Sequence, residues 1–109
     1  MADYEIEINR VNFPRHGRDR FFADPPVRHV IANDRIRWDN RTNQAVTIFF
    51  PHTNLFVGVS VPTTVNIAAN NQSAFFTVVA SPANGNRPYA GYVAGSEIEG
   101  KSAPSIEVP

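Results

Sequence analysis

Asp34-Arg35-Ile36-Arg37-Trp38-Asp39-Asn40-Arg41-Thr42-Asn43-Gln44-Ala45-Val46-Thr47-Ile48-Phe49-Phe50 decides the fold class. In residues 35–40, Ile36 and Trp38 alternate with Arg35, Arg37 and Asp39. This is the period-two pattern of a strand with one face buried and the other in water. Residues 41–44 are polar and interrupt it. Residues 45–50 are apolar at both parities, as expected of a strand covered on both faces or used at an interface. Two strands around a polar loop, with the only tryptophan of the chain pointing inward, form the unit from which the rest is read.

Upstream, Tyr4, Ile6 and Ile8 alternate with Glu5, Glu7 and Asn9, which predicts a half-buried strand with acidic residues in water. Residues 13–20, with Pro14, Gly17 and mixed charge, read as a loop. Asp24-Pro25-Pro26 breaks any regular element, because each proline removes a donor and restricts the residue before it. Residues 27–31 read as a short strand and Asn33-Asp34 as a turn. Downstream, Pro51-His52-Thr53-Asn54 interrupts the pattern. Val57, Val59 and Val61 then alternate with Gly58 and Ser60, and residues 64–68 and 73–80 follow as strands. Asn70-Asn71-Gln72 separates the last two as a turn, since asparagine tolerates positive φ. A loop at 81–88 precedes strands at 89–93 and 105–108. No stretch carries a helix-length amphipathic period, and no internal repeat is present. The expectation is an all-β chain of about 7–8 short strands in an antiparallel sandwich or barrel. Two stacked sheets with Trp38 between them fit the parity best.

A chain of 109 residues reads as one domain, 1–109, large enough to bury a core without staples. The absence of cysteine excludes disulfides, thiolate metal sites and cysteine nucleophiles together. Formal net charge is zero, which argues against nucleic acid as the main partner. The charges are unevenly placed. Eight of the ten basic residues are arginines between Arg10 and Arg41, whereas residues 42–86 contain no Asp, Glu, Lys or Arg. No run approaches a membrane span. Met1-Ala2-Asp3-Tyr4 lacks a basic segment followed by an apolar one, so the expected location is the cytoplasm, although a secreted chain trimmed of its signal reads the same. Asn40-Arg41-Thr42 and Asn71-Gln72-Ser73 match the glycosylation pattern, which carries meaning only with secretion.

Taken in order, these pieces resemble a known family: Asp24-Pro25-Pro26-Val27, Asn33-Asp34-Arg35-Ile36-Arg37-Trp38-Asp39-Asn40, Tyr89-Ala90-Gly91-Tyr92-Val93 and Ser102-Ala103-Pro104-Ser105-Ile106-Glu107-Val108-Pro109. The order is similar to that of the cupredoxins, Greek-key β-sandwiches that hold copper. The resemblance covers roughly residues 24–108, with Tyr4–Asn9 as the first strand. It also implies that the first strand neighbours the one bearing Trp38, so that Glu5 and Glu7 face Arg35 and Arg37.

The family's copper site does not carry over. A blue-copper centre takes two imidazoles, a thiolate and usually a weak axial thioether. The resemblance places the first histidine at Val46 and the cysteine, after the aromatic Tyr92, at Val93. The second histidine and the methionine belong in residues 94–103, which contain neither. Pro51-His52-Thr53 spells the motif around the first histidine, but six residues late and at the wrong end of its strand. His16 and His29 lie on separate elements. The cofactor expectation is therefore none.

Other chemistry is equally thin. No Gly-x-Ser-x-Gly and no phosphate-cradling glycine loop is present. Glu97 and Glu99 would share a face if extended, but a solvated loop accounts for them. The chain reads as a non-enzyme. Two surface features remain. Arg15, His16, Arg18, Arg20 and Arg41 fall in two loops that the cupredoxin connectivity would bring to the vacant metal end. There they would form a basic patch for a carboxylate, phosphate or acidic protein. Their plainer role is solvation and pairing with Asp19 and Asp39. The doubled Phe49-Phe50 and Phe75-Phe76, with Phe56, lie in the uncharged half. Adjacent phenylalanines on a strand point to opposite faces, so one of each pair is covered by the chain's own loops or by another chain. Phe49, Phe56 and Phe75 are the candidate interface residues. The expected function is a metal-free, cupredoxin-like interaction or assembly module that binds a protein partner or itself, and neither nucleic acid nor membrane. The alternatives are a copper electron-transfer protein with a non-family site, or a small binding domain for an anionic ligand.

Overall fold

The computed structural model describes residues 2–13, 18–59, 63–93, 96–98 and 104–109. They form eleven strands and no helix. In chain order these are β1 (Asp3–Phe13), β2 (Arg18–Asp24), β3 (Val27–His29), β4 (Arg35–Asn40), β5 (Val46–Phe50), β6 (Thr63–Ile67), β7 (Phe76–Thr77), β8 (Gly85–Pro88), β9 (Ala90–Val93), β10 (Ser96–Glu97) and β11 (Ser105–Val108). Three sheets result, in the orders β2-β1-β4-β7, β10-β9-β5-β6 and β3-β11-β8. They enclose one core and are compatible with a β-sandwich.

The alternation of the first and fourth strands sets the core. Ile6, Ile8, Ile36 and Trp38 have no exposed surface, and neither do Val46, Ile48 and Phe50 on β5. Trp38 sits in the middle, its ring edge-on to Phe76 and Tyr89. Asp34 ties the entry to β4. Its buried carboxylate accepts hydrogen bonds from the backbone N–H groups of Ala2 and Ile31, both at 2.9 Å. Asn33 beside it takes the left-handed conformation, φ 66°, that asparagine tolerates in a tight turn.

Several expectations are corrected. Residues 18–20 of the supposed first loop belong to β2, which pairs antiparallel with a β1 that runs on to Phe13; residues 14–17 lie outside the described set. The valine alternation at 57–59 is a turn, because Gly58 adopts φ 77° and leaves Val57 in solvent. Residues 85–88 form a strand through pairing with β11. Two pairings are parallel, β1 with β4 and β3 with β11, so two of the three sheets are mixed and β10-β9-β5-β6 is antiparallel throughout. The count exceeds the expected one because long-range partners order short segments of weak local pattern.

Candidate functional site

The two positions that the resemblance assigns to copper ligands meet in space. Val46 and Val93 are directly opposite each other on β5 and β9, and both are fully buried. Asn40 holds this end in place. Its side-chain amide donates to the carbonyls of Gln44 at 2.8 Å, Ala68 at 3.1 Å and Ile67 at 3.2 Å. Its Oδ1 accepts from the Thr42 hydroxyl at 2.7 Å and the Thr42 N–H at 3.0 Å. One buried asparagine therefore ties the turn before β5 to the end of β6. The same burial removes Asn40 as a glycosylation acceptor.

The histidines are apart. A ring nitrogen of His52 lies 2.7 Å from the Pro88 carbonyl oxygen, and the ring meets Phe50 edge-on at the opposite end of β5. His29 pairs with Glu107 across β3 and β11 at 3.2 Å. His16 lies outside the described residues. Among the described residues no group of three His, Cys, Asp or Glu side chains is placed to hold a metal ion.

Of the basic patch, only the side chains of Arg20 and Arg41 fall among those described. Arg15, like His16, lies outside them, and Arg18 is placed only as backbone in β2. Arg20 is half-buried and already engaged. Arg41 Nε donates to Asp39 at 2.9 Å, and its guanidinium lies 3.4 Å from Glu7. The hydrogen bond to Asp39, then the charge of Glu7, raises the Arg41 pKa further. This cation is committed to carboxylates of its own sheet.

The same sheet accounts for Phe75. Arg35 pairs with Asp3 at 2.6 Å and Arg37 with Glu5 at 2.6 Å. Both guanidinium groups lie over the Phe75 ring, 4.4 and 4.5 Å from its centre. Phe75 is thus capped within the chain by cation–π contacts. Phe56 is 3% exposed and packs against Phe50 and Phe76, so it is a core residue of this chain.

Phe49 remains. It is 41% exposed and stands on the outer face of the β10-β9-β5-β6 sheet. The register puts Phe49 between Ala90 and Thr64, and Thr47 between Tyr92 and Asn66. Tyr92 is 44% exposed, and the Thr47 hydroxyl donates to Asn66 Oδ1 at 3.0 Å. These six residues form an uncharged face in which two aromatics lie on a diagonal. Beneath it the packing is tight, since a Cβ on Gly91 would fall 2.3 Å from Ile98 Cδ1. A shallow cleft of about 400 Å³, lined by Asn54, Phe56, Val57, Gly58, Val59 and Val79, is likewise uncharged. Tyr92, Thr64 and Asn66 were not singled out from the sequence. The signal for Tyr92 was its opposite parity to Gly91 and Val93. No protein-family model matches the chain, and no curated protein matches it.

Proposed function

We propose that this protein is a cupredoxin-like Greek-key sandwich that works without copper, as a non-enzymatic assembly module. Its contact surface is the β5-β6 half of the sheet β10-β9-β5-β6, whose strands carry no charged residue. The observation that carries the reading is the Val46–Val93 pair: hydrocarbon meets hydrocarbon where the family would place an imidazole and a thiolate. The family resemblance is supported by the neighbour relation between β1 and β4, which the cupredoxin arrangement expects. The binding role is supported by Phe49 and Tyr92, both exposed, with Phe49 set among the uncharged residues of β5 and β6. An anionic-ligand role is disfavoured by the commitment of Arg41 to Asp39 and Glu7.

Two measurements test this. After incubation with copper and desalting, elemental analysis is expected to find no stoichiometric copper and the solution to stay colourless. One tightly held copper per chain would overturn the metal-free part. Light scattering over a dilution series is expected to show concentration-dependent self-association. A strict monomer at millimolar concentration would overturn the assembly part.

A further inference from the structure

Each sheet ends in two edge strands, whose unpaired backbone N–H and C=O groups are templates for further strand pairing. Among the described residues, five of the six edges are blunted. The β2 segment contains Arg18, Asp19, Arg20 and Asp24, and β8 contains Arg87 and Pro88. The β3 edge is three residues long, carries Arg28 and follows Pro25-Pro26. The β7 and β10 edges are two residues each, too short to template a sheet.

The β6 edge differs. Thr63-Thr64-Val65-Asn66-Ile67 is five residues long, with no charge, proline or glycine, and four of its five residues are β-branched. Among the described residues it pairs only with β5, and the Asn40 amide anchors its end at the Ile67 carbonyl. The strand is therefore held extended with one side unpaired among the described residues; Pro62 precedes it, and within Thr63–Ile67 itself no charge, proline, glycine or bulge guards the edge.

We infer that β6 pairs antiparallel with β6 of a second copy of this chain, joining two four-stranded sheets into one of eight strands. The inference rests on the assembly reading above and names its partner and its edge. Self-complementarity selects a second copy as the occupant. Antiparallel pairing of a strand with itself is two-fold symmetric, as a closed dimer requires. Centred on Val65, it sets Thr64 opposite the partner's Asn66, twice. That repeats a pairing already present across β5 and β6, where Thr47 donates to Asn66 Oδ1. The Asn66 amide N–H groups then donate to the Thr64 hydroxyl across the junction. No like charges meet. A five-residue strand pair is a small interface, so the dimer is weak, dissociating in the high micromolar range.

The experiment combines sedimentation across dilution with amide exchange read at residues 63–67. The wild type is expected to dimerise, with slower exchange at those residues as concentration rises. Thr64→Lys with Asn66→Lys puts lysine opposite lysine and should weaken the dimer roughly tenfold or more. Thr64→Lys with Asn66→Asp sets opposite charges across the same register and should restore it. Val11→Asp, at an exposed position of β1 in the other sheet, should change the dissociation constant less than about twofold. Unchanged tryptophan emission would show that each variant keeps its core. Association that resists the double lysine change but is lost in Phe49→Asp would overturn the edge pairing while leaving the assembly reading intact. No association at any concentration would overturn both.

Discussion

The indole of Trp38 is fully buried and meets the rings of Phe76 and Tyr89 edge-on, at 5.7 and 5.5 Å between centres. Removing it leaves a cavity beside both rings in the centre of the core. Trp38→Ala is expected to cost about 3–5 kcal/mol. That is a large part of the roughly 5–15 kcal/mol available to such a domain. A urea midpoint left unchanged would contradict the packing described. Tyr89 beside it is 2% exposed, and its hydroxyl has no hydrogen-bond partner among the described residues. Burial pushes the phenol well above its ordinary value of 10.0. The nearby Trp38 indole opposes the rise, although neither group reaches a partner in hydrogen-bonding geometry. The sign follows from which state holds the proton. Above pH 10 the unfolded chain releases it and the folded chain keeps it, so stability falls as pH rises. The loss from this group is about 1.4 kcal/mol per pH unit until the folded phenol also ionises. Tyr89→Phe should remove that component from the alkaline stability curve. A variant with the same alkaline slope as the wild type would mean that Tyr89 ionises equally in both states.

At the level of elements, β1 and β4 are joined by a ladder of charges whose step the parallel register dictates. Asp3 is opposite Arg35, Glu5 opposite Arg37 and Glu7 opposite Asp39, with Arg41 reaching back to Glu7. Glu5 and Glu7 were expected to face Arg35 and Arg37; Glu5 meets Arg37, whereas Glu7 stands opposite Asp39 and meets Arg41. Arg35 instead takes Asp3, because parallel strands keep equal offsets and Asp3 is two residues before Glu5. The hydrogen bond from Arg35 lowers the Asp3 pKa, so this pair contributes above the ordinary carboxylate range and is lost as pH falls through the depressed value. A double-mutant cycle on Glu5→Ala and Arg37→Ala should return a coupling of about 0.3–1 kcal/mol, as for a half-exposed pair. The same cycle on Glu7 and Arg35 should return none. Coupling in the second cycle and not the first would mean the strands are slipped. What was legible in the sequence follows the same division. Strong alternation at Ile6-Ile8 and Ile36-Trp38 located strands and parity, since water and core impose it residue by residue. Gly85-Asn86-Arg87-Pro88 has no such pattern and becomes a strand only through β11. Of the candidate site, Phe49 was legible as one of a doubled pair. Phe56 and Phe75 were not separable from it, because their covers are Phe50, Phe76, Arg35 and Arg37, brought in from other elements.

Across the whole molecule, charge is segregated along the chain and the fold preserves the separation. The described residues extend 46 × 25 × 24 Å. The carboxylate–arginine ladder lies on the β2-β1-β4-β7 sheet, while the outer face and open edge of β10-β9-β5-β6 show Thr47, Phe49, Thr64, Asn66, Ala90 and Tyr92. The proposed pairing through the β6 edge exchanges water for backbone hydrogen bonds, with no ion pair formed or broken. Salt therefore has little to screen. Its Debye length of about 8 Å at physiological ionic strength acts on charges that β5 and β6 lack. The dimer dissociation constant is expected to stay within about twofold from roughly 0.05 to 0.5 M sodium chloride, as for contacts free of ion pairs. Sulfate, which is excluded from protein surfaces, should tighten it. Contact through the arginine-rich half would behave oppositely, weakening steeply as chloride screens guanidinium–carboxylate pairs between copies. A dissociation constant that rises tenfold over that range would place the contact on the charged sheet and remove β10-β9-β5-β6 as the assembly surface.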